Sequence, residues 1–428
     1  MVWFDIMYDV IIIGAGISGA TFASKISKYA KTLLIEAQDY RKEIPLRTNI
    51  FPEHNKPFIK DIIDWNNKTI FPCKHTTSNY MSDEFNGVID SKEFGGPLGN
   101  VSYTEILIRE LINLFESNGG IFKTSEKISN ITKHPDHLEL INSKGDSYST
   151  KLLVLATGSR GFELQRSLGF QVPDHYIGTY VHLFGDEEKI NENLNFNYTF
   201  HINPKISKDG PLFFNKGIER ISAGFLGEKG QSEEEIIKKL DRILSNYKPI
   251  QPIIAGLNYD LKTAIVGDIS KHPIKKFHDD RILVIGEAAG LVTAFFYEGL
   301  LPGVASADIA NKILKPLFEK GSNFSRSELL EYDKEVKRIL MTYFRNGNAM
   351  EYLIYNKGSY VKSLWRNYSK LLSENGTARK YIYEAYINQD LSTHKIANDR
   401  YVGEKLLGML PLLSKITLGP KFLRAMLL

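Results

Sequence analysis

The chain has 428 residues, 43% of them hydrophobic and 24% charged, enough for a sizeable core in one large composite domain or two intertwined ones. Its 54 Lys and Arg stand against 50 Asp and Glu, a formal net charge of +4, too balanced to mark a nucleic-acid binder on charge alone. The single cysteine, Cys73, excludes an intramolecular disulfide and a cysteine-built metal cluster, so no metal is expected.

The opening residues MVWFDIMYDV lack the basic stretch of a secretory signal, and no apolar run reaches the roughly 18 to 20 residues of a membrane-spanning helix, so a cytoplasmic chain is expected. The run YDVIIIG, a glycine-rich turn, the amphipathic stretch ATFASKISKYA and a second run TLLIEA read as a β-α-β unit. Residues 41–100 show no clear period apart from FIKDIIDW and read as a long irregular excursion. From Tyr103 the spacing predicts a helix, with Ile106, Leu107, Leu111, Leu114 and Phe115 on its apolar side and a Gly-Gly stop. Strand-like pieces follow, ending at KLLVLATGSRG. Residues 163–275 form a region of strands and turns, with DGPLFFNKGIERISAGF as a hairpin and QSEEEIIKKLDRILSNY as a solvated helix. The apolar strand RILVIG then leads into EAAGLVTAFFYEGLLPG, and the chain from about 326 is helical and rich in Tyr and Trp.

GAGISG sets Gly14, Gly16 and Gly19 between a predicted strand and a predicted helix. Gly14 suits the tight turn, Gly16 lets a pyrophosphate approach the backbone, and Gly19 permits close helix-to-strand packing, with anions favoured at the helix N-terminus. Glu36 follows Gly14 by 22 residues, near the offset of about 20 for a carboxylate that binds an adenosine ribose and repels a 2′-phosphate. The expected ligand is therefore FAD or NAD rather than NADP. No second glycine fingerprint occurs in 150–280, which favours one dinucleotide.

ATG at 156–158 and GEAAG at 286–290 are small-residue turns that each end an apolar strand. Here the sequence resembles the FAD-dependent oxidoreductases of the para-hydroxybenzoate hydroxylase type and, within them, the geranylgeranyl reductases. The resemblance implies an α/β fold. A Rossmann-like FAD-binding domain at 1–162 and 276–325 is interleaved with a mixed-sheet substrate domain at 163–275, and a C-terminal helical region follows at 326–428. It implies FAD as cofactor, held by Gly14, Ala15, Gly16, Ser18, Gly19, Glu36, Ala37, Thr157, Gly158, Gly286, Glu287, Gly290, Gly299 and Leu300. Glu287 stands where the family's acid meets the ribityl chain, and Gly299 and Leu300 fall near the pyrimidine edge of the flavin, with Pro302 in the first helical turn. Phe295, Phe296 and Tyr297 line the approach, Phe213 adds to the substrate side, and Tyr297 and Glu298 are the candidate proton donors.

The activity so implied is reduction of isolated double bonds in isoprenoid chains, on membrane lipids or their diphosphate precursors. An external electron donor, NAD(P)H or ferredoxin, is required. Several positions depart from the family: Phe213-Phe214-Asn215 lacks the Trp and Pro of the substrate-side motif, Cys73 is followed by Lys74 rather than Gly, Tyr103 replaces an Arg, and Ala294 a Pro. A flavin monooxygenase is the nearest alternative, with Thr157 replacing that group's acid. A quinone or electron-transfer flavoprotein reductase and a non-catalytic prenyl-binding protein complete the set. In the tail EKLLGMLPLLSKITLGPKFLRAMLL, Lys405, Lys415, Lys421 and Arg424 follow Glu404 with no further acid, a pattern for docking on an anionic bilayer, in which Pro411 and Pro420 are expected to break the helix.

Overall fold

The computed structural model describes residues 7–355, 360–393 and 396–426; the N-terminal residues 1–6, read above for a signal, lie outside them. Two large sheets and a helical C-terminal region build a mixed α/β fold. The first sheet has eight strands. Its parallel part runs Ile282–Val284, Ser147–Leu155, Met7–Ile13, Thr32–Ile35, Ile121–Lys123, with Val10 opposite Leu152 on one side and Thr32 on the other. His278–Asp279, Leu138–Asn142 and Ile128–Lys133 add antiparallel strands. The central strands are apolar on both faces because helices cover them. Helix Ile17–Ile26 packs against Thr104–Ser117 and Leu300–Glu319, where Ser24 Oγ donates to the Leu111 carbonyl oxygen at 2.7 Å and the buried Lys25 ammonium meets Asp308 at 2.9 Å.

The second sheet has seven strands in the order Ile265–Lys271, Asp174–Phe184, Arg220–Leu226, Leu212–Lys216, Tyr198–His201, Thr77–Met81, Asn86–Asp90. Every pairing is antiparallel except that of Tyr198–His201 with Thr77–Met81. The hairpin expected at 209–225 is the pair Leu212–Lys216 and Arg220–Leu226. A third sheet sets Gly99–Tyr103 between Thr48–Pro52 and Cys73–His75.

The segment 41–100 is thus not an irregular excursion; it supplies five strands to two sheets. These strands hide from a hydrophobic pattern because they are three to five residues long and bury polar side chains that pair locally: His75 with Ser78 at 2.8 Å, Asn79 with the exposed Asn86 at 2.9 Å. The helix from Thr104 forms as expected, but its buried stripe is Leu107, Ile108, Leu111, Ile112 and Phe115, with Ile106 and Leu114 at the margins. That stripe is wedged between the sheet and Ile17–Ile26, so it includes two adjacent columns of side chains.

The C-terminal region comprises helices Arg326–Ile354, Tyr360–Glu374, Gly376–Ile387, Ile396–Gly408 and Leu412–Met426. Tyr360–Glu374 lies across Thr77–Met81 and Asn86–Asp90, and Trp365 Nε1 donates to the Met81 carbonyl oxygen at 2.7 Å. Pro411 separates the last two helices as expected, but Pro420 stays inside Leu412–Met426, on its exposed side, where the helix tolerates the missing donor.

Candidate functional site

A cavity of about 2460 Å³ runs from the glycine turn at the end of Met7–Ile13, past the loop before Leu300–Glu319, to the C-terminal helices. A pocket for one drug-sized ligand holds roughly 300–1,000 Å³, so this one has room for more than one molecule. Its first half is lined by Gly14, Gly16, Ser18, Glu36, Ala37, Thr157 and Gly158, and its second by Tyr80, Tyr198, Phe200, Phe213, Phe296, Tyr343 and Leu406.

At the turn, Gly14 has φ +102°, and a Cβ there would stand 2.3 Å from the Ala156 carbonyl oxygen. Gly16 by contrast faces open space, with no atom within 4 Å of the site a Cβ would fill. The turn therefore presents bare main chain at the N-terminus of Ile17–Ile26, a cradle for an anion. Glu36 holds the turn rigid, accepting Ala15 N–H through Oε2 and Gln38 N–H through Oε1, both at 2.9 Å. Thr157 Oγ1 is buried without a partner among the described residues.

Of the expected site residues, Ala15, Gly19, Gly286 and Gly290 do not line the cavity. They act from behind its wall: Gly19 abuts Gly14, Gly286 abuts Ser18, and Gly290 passes under the His272 carbonyl oxygen. Ser18 also packs on Gly303, a contact the sequence reading missed. Glu287 lines the cavity, accepts Ser270 N–H at 2.9 Å, and has its carboxyl raised by burial.

The aromatic trio divides. Phe296 is 37% exposed and faces the cavity, packed on Phe200 at 5.1 Å between ring centres. Phe295, expected beside it, is a correction: it is 1% exposed, clustered with Phe200, Tyr355 and Trp365, and lines no part of the cavity. Adjacent side chains in this loop point opposite ways, and Tyr297 continues it in the left-handed region at φ +53°. Tyr297 reaches the cavity, yet its hydroxyl donates to the Asp209 carbonyl oxygen at 2.5 Å, so its proton is already held. Phe213 faces the cavity while Phe214 is core, the alternation of a strand.

Glu298 stands between the two halves, just before Gly299 and Leu300, which also line the cavity. Its Oε1 accepts Leu301 N–H at 2.7 Å and so caps Leu300–Glu319, and its Oε2 accepts the Tyr343 hydroxyl at 3.2 Å. Burial raises this carboxyl to about 7 against those two hydrogen bonds and the nearby Arg47 cation. A carboxyl that is half protonated near neutrality in a secluded cavity is suited to general acid work. Tyr343, Tyr198, Tyr368 and Tyr386 were not singled out from sequence, because no local motif surrounds them.

Three or more His, Cys, Asp or Glu side chains placed to hold a metal ion do not occur among the described residues, and no helix among them is long and apolar enough to cross a membrane.

No protein-family model matches the chain. The fold is shared with known oxidoreductases. A geranylgeranyl bacteriochlorophyll reductase-like protein from Thermoplasma acidophilum superposes with a TM-score of 0.72 at 14% identity, over 97% of this chain and 99% of that one. p-Nitrophenol 4-monooxygenase from Pseudomonas putida gives 0.68 at 12% identity, over 91% and 99%. A variant of the halogenase PltM in complex with FAD gives 0.67 at 15% identity, over 93% and 90%. These likenesses establish the fold. In sequence, digeranylgeranylglycerophospholipid reductase 1 of Methanosphaera stadtmanae is 24% identical over 180 residues, a match spanning 40% of this chain and 40% of that relative's length.

Proposed function

We propose that the chain is an FAD-dependent reductase that saturates isolated double bonds of geranylgeranyl or other isoprenoid chains. The observation that carries this reading is the single cavity joining a glycine cradle to an aromatic, aliphatic half, with Glu298 at the junction. The residues fit FAD: the open face of Gly16 suits a pyrophosphate and Glu36 a ribose. Bound and reduced FAD supplies the hydride equivalent that an unpolarised alkene requires.

In this reading residues 1–162 and 276–325 hold the cofactor, while 163–275, joined by Thr77–Met81 and Asn86–Asp90, bind the substrate. Phe213 and Phe296 hold the chain and exclude water, and Glu298 gives the proton from Oε2. Tyr297 orients the loop rather than donating. The similarity to the Methanosphaera reductase supports an isoprenoid lipid as substrate. An external donor, NAD(P)H or ferredoxin, completes the electron balance.

The tail fits a cytoplasmic protein that touches a bilayer: Leu412 and Ile416 are 73% and 66% exposed, with Lys415 beside them. Lys421 and Arg424, however, lie over the Tyr360 and Tyr352 rings and belong to the protein body.

The test is anaerobic incubation of chemically reduced, FAD-loaded protein with geranylgeranyl diphosphate and geranylgeranyl lipids. Mass spectrometry then reads a gain of one hydrogen pair per reduced bond. Unchanged lipids beside persistently reduced flavin would overturn alkene reduction for these substrates. The folds of the monooxygenase and the halogenase make oxygen the next acceptor to try.

A further inference from the structure

The second sheet holds a buried histidine that does not line the cavity. His201 ends the strand Tyr198–His201 with its side chain 1% exposed, and both of its ring nitrogens are engaged. Nδ1 meets the Met81 carbonyl oxygen at 2.7 Å, the same oxygen to which Trp365 Nε1 donates. Nε2 meets, at 2.7 Å, the hydroxyl of Tyr247, the residue that closes helix Glu233–Asn246. That hydroxyl also lies 2.5 Å from Oδ1 of Asp83, in the turn between Thr77–Met81 and Asn86–Asp90. Asp83 Oδ2 in turn meets the Lys362 ammonium of Tyr360–Glu374 at 2.7 Å.

These contacts need one more proton than a neutral histidine and an ionised aspartate supply. The Met81 carbonyl can only accept, so Nδ1 must carry a hydrogen. The Asn203 amide is oriented by its Oδ1, which accepts Lys205 N–H at 3.0 Å, so its Nδ2 donates to the Tyr247 oxygen at 3.0 Å. One hydroxyl hydrogen is then left between two acceptors, the bare Nε2 and the Asp83 carboxylate, and whichever goes without it faces an oxygen lone pair at close range. Moving the imidazole hydrogen to Nε2 only transfers the conflict to Nδ1 and the Met81 carbonyl. A single added proton removes it: the imidazolium donates to Met81 and to Tyr247, and Tyr247 donates to Asp83.

We infer that His201, Tyr247 and Asp83 form a proton-operated latch, which fastens Tyr360–Glu374 and the end of Glu233–Asn246 to the second sheet when it holds one proton and slackens when that proton leaves. The charged and titratable groups facing His201 are Asp83 from the turn, Tyr247 beyond Glu233–Asn246 and Lys362 from Tyr360–Glu374. Against burial, Lys362 and Tyr247 hold the Asp83 carboxyl below its usual range, so the added proton resides on the imidazole. Burial pushes that imidazole down, against the Met81 carbonyl and Asp83, so it gives the proton up readily as pH rises. The proton comes from and returns to bulk water past Asp83, whose side chain is 23% exposed. Tyr360–Glu374 supplies Leu364 and Tyr368 to the cavity wall, and Phe200, next to His201, belongs to the same wall, so the latch governs how firmly that wall is held. It is independent of the reaction assigned to the cavity.

Hydrogen–deuterium exchange of the full chain, read by mass spectrometry at pH 5 and pH 8 and corrected for the intrinsic effect of pH on exchange, tests the latch. Relative to peptides of Met7–Ile13, those covering Tyr198–His201 and Tyr360–Glu374 should exchange roughly ten-fold faster at pH 8 in the wild type. In Asp83→Asn the amide N–H supplies the missing hydrogen to Tyr247 while the amide oxygen still accepts from Lys362, so both regions should stay equally protected at the two pH values. Tyr247→Phe removes the bridge, and both regions should be equally open at the two values. Nitrogen NMR of the histidines should show one imidazole, the one missing in His201→Gln, charged at pH 5 and neutral at pH 8. Wild-type protection that ignores pH, a wild-type pH response that persists in Asp83→Asn, or a His201 neutral at both values would overturn the latch.

Discussion

Lys271 Nζ meets Glu351 Oε1 at 2.5 Å, in a pocket where the lysine is 2% exposed and the Tyr176, Tyr297 and Tyr355 rings surround its ammonium at 4.4, 5.4 and 5.7 Å. This pair ties the edge strand Ile265–Lys271 to the long helix Arg326–Ile354, and Tyr355, whose hydroxyl donates to the Phe295 carbonyl oxygen at 2.7 Å, fastens the aromatic loop to the same point. Glu351 Oε2 also meets His272 Nε2 at 3.3 Å, so removing Lys271 leaves the carboxylate partly compensated, a loss of about 2 kcal/mol, below the roughly 3–5 kcal/mol of an isolated buried pair. Lys271→Met should lower stability by that order in urea unfolding, and Lys271→Met with Glu351→Leu should recover most of it.

Gly16 separates folding from cofactor retention. Since nothing lies within 4 Å of the site its Cβ would fill, Gly16→Val should keep the circular dichroism spectrum and melting temperature of the unloaded protein. The side chain would fill the cradle instead, so flavin absorbance per protein after reconstitution should fall by more than ten-fold.

Glu298 sets the pH dependence. Its carboxyl is raised to about 7, so the protonated, donating form prevails below that value and is lost as pH rises through it. Reductase turnover should decline through the same range, and Glu298→Gln should reduce it by roughly 10²- to 10⁴-fold, the range for a general acid. Tyr297→Phe, which removes only the bond to Asp209, should retain most of the turnover. A pH–rate profile of the three proteins checks all of this.

His54 predicts acid lability. It is 5% exposed, its Nδ1 donates to the Ala385 carbonyl oxygen at 3.0 Å, and burial pushes the imidazole down to about 4. The unfolded chain takes up a proton as pH falls below about 6.5 while the folded chain stays neutral. Stability is therefore full above 6.5 and erodes as pH falls toward 4, by about 2 kcal/mol between pH 7 and 5 from this group. Urea unfolding at both values should show a smaller difference in His54→Gln.

The cradle was legible in the sequence because its parts are local. Gly14, Gly16, Gly19 and Glu36 lie within one β-α-β unit, and each serves a requirement of backbone geometry that residue type alone reveals. Phe295 and Phe296 were not separable, since their loop has neither the strand nor the helix period and its direction depends on contacts with Tyr355 and Trp365 from another element. Tyr198, Tyr343, Tyr368 and Tyr386 come from four elements that meet only in the folded chain, so nothing near any one of them marks it. In the sequence Glu298 is marked by position alone, next to Gly299; its role in capping Leu300–Glu319 depends on the Leu301 contact, which only the fold supplies.

The parallel pairing of Thr77–Met81 with Tyr198–His201 also bears on synthesis at the ribosome. One sheet waits for Ile265–Lys271 and the other for Ile282–Val284, so neither is whole until nearly two thirds of the chain has emerged. The early apolar strands Met7–Ile13 and Thr32–Ile35 pair with each other, but their outer partners, Ser147–Leu155 and Ile121–Lys123, are made long afterwards. Nascent chains should therefore spend that interval with sticky strand edges uncovered, and yield in a cell should depend more on translation speed and holding chaperones than on the stability of the finished fold.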